Sequence, residues 1–462
     1  MGNMMKSHIF RAYDIRGLLG EELTPEVMLK IGRSLAALMD DEGLGNTVLL
    51  SYDVRGSSQL LSNALLAGLL AGGVDVTCTG RSSIGLAAFS GLMLKRDVMA
   101  YITASHLPPE WNGIKFYSGK GVGFPAEYNM RIGELVADDT NLMKRSATWD
   151  KVGVADTISM KEEYIRYFES RFDTMEDVKA VVDCGGGSMS LIAPHVFAKL
   201  GIKTYSLFSN VDPTFSHRQS EPTEESLKTL MRHTKNLDVD FGVAFDGDGD
   251  RGVIVDDRGR LLTPEQTGII IAKDMLQQKG SGVVIANVEC SRAIEDILVP
   301  LGAKVSRIPV GHTYLTLEAE RQNAMLGIES SGHMVMPEYF LFDDAILIPF
   351  KIAEILSRSE SKLSEMVDEI PVYPKERIDF MCDDNVKFTV IDALSESFAA
   401  KYDDVSTFGG IRVDLEEGWV LVRASNTSPM IRLTVETRRK EDMRVIAEPF
   451  ANEIREKIKE EV

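Results

Sequence analysis

The apolar positions of the chain fall in short runs, each closed by a small-residue turn and followed by an amphipathic stretch. Three such runs are Thr47-Val-Leu-Leu-Ser-Tyr-Asp53, Lys179-Ala-Val-Val-Asp-Cys-Gly185 and Gly282-Val-Val-Ile-Ala-Asn-Val288. The helical patterns after them, near 57 to 71, 188 to 200 and 291 to 301, end at Gly72-Gly73, Gly201 and Gly302, as C-terminal caps do. Alternating strands and helices of this kind predict parallel α/β sheets. Each unit also carries a strand, a polar loop and a return strand: Met99 to Tyr117, Phe241 to Val255 and Ala324 to Met336. The pattern reads as one α/β unit used three times with different loop chemistry. From about 372 the order becomes strand, helix, several strands and a final helix, with Val372-Tyr-Pro-Lys-Glu376 as a linker. The expectation is three related α/β domains with mixed, mainly parallel sheets plus a C-terminal α+β domain, bounded at 1–150, 151–256, 257–371 and 372–462.

Composition narrows the function. A chain of 462 residues is too long for one core, and 44% hydrophobic with 26% charged residues is the balance of a soluble globular protein. No stretch approaches the roughly 20 apolar residues of a membrane span, and Met1 to Ser7 has no apolar signal core, so a cytoplasmic location is expected. Cys78, Cys184, Cys290 and Cys382 are too widely spaced for a zinc site or a compact disulfide framework. A net charge of −19 argues against a nucleic-acid partner. A small phosphorylated substrate remains compatible with it, provided that positive groups are gathered in a cleft. No heptad pattern assigns an oligomeric state.

The most informative loop is Asp246-Gly-Asp-Gly-Asp-Arg251, between the runs Phe241-Gly-Val-Ala-Phe245 and Gly252-Val-Ile-Val255. On a regular strand, alternate side chains lie about 6.6 Å apart, too far for three carboxylates to grip one ion. Gly247 and Gly249 let the chain curl and bring Asp246, Asp248 and Asp250 together. Carboxylates without His or Cys favour Mg²⁺ or Ca²⁺. An EF-hand is disfavoured, because its sixth and twelfth positions would be Arg251 and Asp257. A solvated hairpin turn would leave three aspartates repelling one another.

Three other loops carry chemistry. In Thr103-Ala-Ser-His-Leu-Pro-Pro-Glu-Trp-Asn-Gly-Ile-Lys115, Ser105 leaves a strand end and its hydroxyl is a candidate phosphate carrier, against the plain alternative of a Ser-Pro turn. Gly327-Ile-Glu-Ser-Ser-Gly-His333 offers a carboxylate, hydroxyls and an imidazole suited to sugar hydroxyls, although taken alone it is also an ordinary polar turn. Arg423-Ala-Ser-Asn-Thr-Ser-Pro429, between two strands, makes an anion cradle to which Arg432 can add a second guanidinium; the alternative is a hairpin with a surface arginine.

In this order and at these intervals the four loops, with Phe10-Arg-Ala-Tyr-Asp-Ile-Arg-Gly17, resemble the α-D-phosphohexomutase family across essentially the whole chain. The resemblance implies four domains around a central cleft, with Ser105 as the phosphoserine and Asp246, Asp248 and Asp250 binding Mg²⁺ together with its phosphate. It implies that Glu329, Ser331 and His333 hold sugar hydroxyls and that Arg423, Ser425, Asn426, Thr427 and Arg432 hold the non-reacting phosphate. Arg16, Lys115, Arg251 and His312 match family positions near the reacting groups, with Lys115 as general acid/base. The implied reaction is reversible phosphoryl transfer between the 1- and 6-positions of a hexose phosphate through a hexose 1,6-bisphosphate. The sugar is mannose or glucose, as in the phosphomannomutase/phosphoglucomutase members, or alternatively glucosamine.

Four places depart from the family pattern: Leu107 where Asn is usual, Gly80-Arg-Ser-Ser-Ile-Gly85 for a Pro-Thr-Pro segment, Glu289 where Lys is frequent, and Ser330 at the variable position of the sugar loop. Two rival functions are weaker. A haloacid-dehalogenase-like enzyme would use Asp246 as nucleophile, but Asp250 stands where that signature expects Thr or Val. A non-catalytic sugar-phosphate sensor would tolerate loss of Ser105, Lys115 or an aspartate, yet all are present.

Overall fold

The computed structural model describes residues 7–11, 14–425 and 429–461. One strand arrangement recurs in it. Thr47–Tyr52 lies between Asp75–Arg81 and Val98–Ile102, parallel to both, and Trp111–Ser118 returns antiparallel beside Val98–Ile102. Lys179–Asp183 lies in the same way between Lys203–Leu207 and Phe241–Phe245, and Gly252–Asp256 returns antiparallel beside the latter. Gly282–Asn287 lies between Ala303–Ile308 and Leu326–Ile328, again parallel, and the short strand Met334–Val335 follows in sequence. The expected repeat of one α/β unit is therefore present. In each copy the chemistry-bearing loop follows the third strand, at the carboxyl end of the parallel strands where open α/β sheets bind ligands.

The first sheet is extended by Ile15–Leu18 at one edge and Ala155–Thr157 at the other. The last sheet is antiparallel, in the order Lys375–Met381, Met430–Thr437, Gly418–Ala424, Ile411–Asp414, Val405–Ser406. Val390, Leu394 and Phe398 of the helix Lys387–Lys401 and Phe450, Ala451 and Ile454 of the helix Asp442–Glu461 join Val420, Val422 and Leu433 in its core. This is the α+β arrangement expected. The helix expected over 188 to 200 is instead a 3₁₀ turn, Ser188–Leu191, followed by the helix Ala193–Lys199. Pro194 explains the break: it lacks an N–H, so it fits a first helical turn and not an interior. By internal packing the chain divides into two compact units, Met1–Thr267 with Ser331–Val367, and Gly268–Ser330 with Asp368–Val462.

In the first unit, the helix Pro25–Asp41, capped by Thr24, crosses the helix Ser58–Ala71 at two glycines. A Cβ on Gly32 would lie 2.3 Å from the Leu65 carbonyl oxygen, and one on Gly68 2.1 Å from that of Leu29. The backbones are thus too close for any side chain between them. Gly68→Ala is expected to destabilise the first unit by ~1–3 kcal/mol or more, read as a lower urea midpoint with an unchanged slope.

Asp344 is buried in the same unit, accepting a hydrogen bond of 2.5 Å from the Tyr164 hydroxyl. Burial pushes its carboxyl from the ordinary 3.8 up to about 7. An unfolded chain releases that proton near 3.8, so the folded state binds more protons in between, and stability falls as pH rises from about 4 to about 7. Asp344→Asn is expected to lose less stability than the parent protein over that window in unfolding experiments at stepped pH. A parallel loss in both proteins would show that Asp344 ionises normally.

Candidate active site

Ser105 sits just past the end of the strand Val98–Ile102, is 1% exposed, and has φ +50°, the left-handed region that residues other than glycine rarely enter. Its N–H donates to Thr103 Oγ1 at 2.8 Å, and its hydroxyl donates to Asp246 Oδ2 at 3.0 Å. Arg55, itself buried, holds the loop through main-chain oxygens: Nη2 donates to Ser105 O at 2.7 Å and Leu107 O at 2.6 Å, and Nη1 to Pro108 O at 2.6 Å. Asp53 fixes Arg55 in turn, Nε to Oδ2 being 3.1 Å, and accepts from Ser58 and Thr103 hydroxyls. Ser220 Oγ adds a bond of 2.9 Å to Leu107 O. Because the loop is gripped by carbonyls, an apolar side chain at Leu107 leaves these supports intact.

The aspartate loop joins two hydrogen-bonded strands, Phe245 pairing with Gly252. Gly249 has φ +87°, whereas Gly247 is needed for a close approach: a Cβ there would lie 2.5 Å from Ser105 O. Three neighbouring segments pin successive carbonyls of the loop. Ser188 N–H donates to Gly247 O at 2.9 Å, Ile84 N–H to Asp248 O at 3.0 Å and Ala345 N–H to Gly249 O at 3.3 Å. The segment Gly80 to Gly85 therefore has a definite task, as Ser83 also caps the helix Ile84–Met93. Asp246, Asp248 and Asp250 are all buried, and one carboxylate oxygen from each falls within 4.8 Å of the others.

Lys115 meets this charge from the strand Trp111–Ser118, its Nζ lying 2.6 Å from Asp250 Oδ2 and 3.1 Å from Asp248 Oδ2. Burial opposes its charge, but Asp248 and Asp250 outweigh burial and hold the ammonium well above the usual lysine range. Burial and the neighbouring Asp250 and Asp248 push Asp246 well up. For Asp250, burial is outweighed by the charges of Lys115 and Arg251, which hold it well down. One ammonium does not exhaust the cluster, since Asp248 Oδ1 and Asp250 Oδ1 are buried without a hydrogen-bond donor among the described residues. An oxygen-seeking divalent cation fits those residues and atoms.

Positive and polar groups border the loop within the first unit. Arg251 Nε donates to His333 Nε2 at 3.0 Å, so the imidazole proton resides on Nδ1 and is donated to Asp343 Oδ2 at 2.6 Å. Arg16, paired with Asp14 at 2.6 Å, stands opposite Gly113 on the neighbouring strand. His106, 3.3 Å from the Ser105 hydroxyl, is pushed down to about 2 by burial and then by Arg251 and Arg16, which places those guanidiniums in one electrostatic environment with Ser105. Arg16 and Arg251 thus bring positive charge to the surroundings of Ser105 and the aspartate loop.

The other candidates lie elsewhere. The boundary between the compact units passes between Ser330 and Ser331, leaving buried Glu329 in the second unit and exposed Ser331 and buried His333 in the first. His312 begins the helix His312–Arg321 of the second unit. In that unit Arg423 and Arg432 are directly opposite on paired strands. They line a pocket of about 170 Å³ with Glu289, Leu421, Ala424, Ser425 and Thr434. Like charges across a strand pair repel, and each guanidinium is met by a carboxylate, Glu289 at 2.5 Å from Arg423 Nη1 and Asp379 at 2.7 Å from Arg432 Nε. Asn426 and Thr427 lie outside the described residues.

Sequence reasoning missed Asp53, Arg55, Thr103 and Asp343, none of which has a motif of its own. The available signal was local: Asp53-Val-Arg55 closes the first central strand, and Asp343-Asp344 interrupts an apolar run.

Four family models match the chain in order. They are described as phosphoglucomutase/phosphomannomutase alpha/beta/alpha domain I over residues 7–143, domain II over 162–259, domain III over 263–373, and the C-terminal domain over 382–453. A probable phosphoglucosamine mutase of Methanopyrus kandleri is 33% identical over 98% of both chains. A phosphoglucomutase/phosphomannomutase of Thermococcus kodakarensis is 34% identical over 94% of this chain and 96% of its own. Among solved structures, a phosphoglucomutase/phosphomannomutase family protein of Burkholderia thailandensis superposes with a TM-score of 0.88 at 27% identity, covering 98% of both chains. With matches to all four domains and full-length relatives at this identity, the chain belongs to the α-D-phosphohexomutase family, whose domains carry the phosphoglucomutase/phosphomannomutase description.

Proposed function

We propose that the protein is a Mg²⁺-dependent phosphohexomutase that moves a phosphoryl group between the 1- and 6-positions of a hexose phosphate by way of phosphoserine at Ser105 and a hexose 1,6-bisphosphate. The observation that carries this reading is the 3.0 Å hydrogen bond from the Ser105 hydroxyl to Asp246, beside two buried carboxylate oxygens that have no hydrogen-bond donor. In this reading Asp246, Asp248 and Asp250 hold the cation, which when bound stabilises charge on the transferring phosphoryl group. Arg55 and Asp53 hold Ser105 in place, so the phosphate donor is oriented before the sugar arrives. Lys115, kept as an ammonium, can give its proton to the leaving oxygen, and the neutral amine that remains can take one from the attacking hydroxyl. Arg16, Arg251 and His312 add positive charge and hydrogen bonds near the reacting end.

The sugar hydroxyls fall to Glu329, Ser331 and His333, and the non-reacting phosphate to Arg423, Ser425 and Arg432, with Asn426 and Thr427 of the same loop. Such an anchor can take the phosphate on either end of the sugar, so the bisphosphate can turn over and return its other phosphate to Ser105. Relatives named for glucose and mannose phosphates and for glucosamine phosphate are about equally similar, so both sugar classes are carried as substrates of this reading. A cytoplasmic enzyme without nucleic-acid or membrane partners fits the acidic composition, and no described helix is long and apolar enough to cross a membrane.

Labelling with sugar bisphosphate tests the carrier. Phosphate is expected on Ser105, stable to hydroxylamine, and Ser105→Ala is expected to retain substrate binding while losing at least 100-fold, about 3 kcal/mol, in kcat. Hydroxylamine-labile label on Asp246, or turnover unchanged in Ser105→Ala, would refute the reading. Removal of divalent cations with EDTA is expected to abolish turnover and Mg²⁺ to restore it, with calorimetry showing that Asp248→Asn weakens Mg²⁺ binding. Full activity of the metal-stripped protein would exclude metal dependence.

A further inference from the structure

Glu289 places a negative charge in the pocket where an anion is expected. Its carboxylate Oε1 accepts from Arg423 Nη1 at 2.5 Å, and its side chain is only 19% exposed. The other oxygen, Oε2, lies 3.5 Å from the Ser330 hydroxyl, which Asn287 Nδ2 also approaches at 3.3 Å. Lys375 Nζ holds the Glu289 main-chain oxygen at 2.6 Å, and the Glu289 N–H donates to Asn287 Oδ1 at 3.1 Å, so the residue is fixed at both backbone ends. The carboxylate thus spans from the arginine of the phosphate loop to the variable residue of the sugar loop, within one compact unit.

That position is unfavourable for a ligand that is only anionic. A phosphate on Arg423 would share the guanidinium with a carboxylate already bound to it, and the two negative charges would face each other in a partly buried pocket. Arg432 does not offset this alone, because Asp379 holds it with contacts of 2.7 and 3.2 Å. A ligand carrying an ammonium next to its phosphate meets both needs: the phosphate takes the guanidiniums, and the ammonium takes Glu289. A neutral hydroxyl in the same place gains less, since a hydrogen bond between two charged partners is roughly twice as strong as a neutral one.

We propose that Glu289 is a specificity-determining residue that selects hexosamine phosphates, sugars with a free amine, over hexose phosphates and over their acetamido counterparts. The inference rests on the phosphohexomutase reading above. On a 2-amino hexose the ammonium is one carbon from the 1-phosphate, so Glu289 meets it when that phosphate occupies the anchor. An acetamido group is neutral and bulkier, and leaves the carboxylate without its counter-charge.

The test is the ratio of kcat/KM for glucosamine 1-phosphate to that for glucose 1-phosphate, measured on the Mg²⁺-loaded protein. The parent protein is expected to favour the amino sugar, and to favour it over N-acetylglucosamine 1-phosphate, by about tenfold or more. Glu289→Gln is expected to lower the amino-to-hydroxy ratio about tenfold, and Glu289→Lys to lower it further, since its charge repels the ammonium. Loss of Arg423 positioning alone would reduce all sugars together and leave the ratio fixed. A parent protein that prefers glucose or acetamido sugars, or a ratio within twofold of the parent in both variants, overturns the assignment while leaving the mutase reading standing. Absence of turnover by the parent on every hexose and hexosamine phosphate overturns both.

Discussion

Three carboxylates buried at one point set the terms for the rest of this structure. An unpaired buried ion costs several kcal/mol, so Asp246, Asp248 and Asp250 can remain together only if the surroundings supply compensating charge and hydrogen bonds. Lys115 supplies the ammonium, the N–H groups of Gly249 and Arg251 bond Asp246 Oδ1, and Ser188, Ile84 and Ala345 fix the loop through its carbonyls. The compensation is incomplete by design of the donor set. Two carboxylate oxygens lack a donor, which is the condition under which a cation binds by replacing a deficit instead of displacing a partner.

The same constraint explains the shape of the serine loop. Ser105 must bring a hydroxyl to the carboxylates without carrying backbone carbonyls into them, and its left-handed φ of +50° turns those carbonyls back toward Arg55. One buried guanidinium then satisfies four loop oxygens, at Ser105, Leu107, Pro108 and Trp111. Strain at a single residue is thus offset by charge-assisted bonds to its neighbours. Substitution of the loop side chains is tolerated by such a device more readily than substitution of Arg55 itself.

Much of this was legible in the chain. The spacing of apolar runs against glycine-closed helices foretold the thrice-used sheet, because strand alternation and caps are local properties that tertiary packing did not override. The three aspartates were legible because their repulsion leaves few alternatives. Arg55, Asp53 and Asp343 were not legible, because their importance lies in what they touch, 50 or more residues away in the case of Arg55 and Ser105. An Asp-x-Arg at a strand end has many ordinary explanations, and only the fold selects among them. The unusual backbone angle that the sequence leads one to expect of both glycines in the aspartate loop is present at Gly249, whereas Gly247 is required for its missing side chain.

The acidic character of the chain bears on how the sites divide the work. A net charge of −19 repels a sugar phosphate at long range, although salt screens that field beyond roughly 10 Å. Selection must therefore act at short range, where individual partners decide. Beside Ser105, burial and then the charges of Arg251 and Arg16 keep His106 neutral. At Arg423 and Arg432 both guanidiniums already have carboxylate partners in Glu289 and Asp379. In the proposed function the anchoring site accepts phosphate by exchange of these partners. If Arg423 and Arg432 anchor the non-reacting phosphate as proposed, what tips that exchange is the rest of the ligand, so the identity of the sugar is read at the anchor.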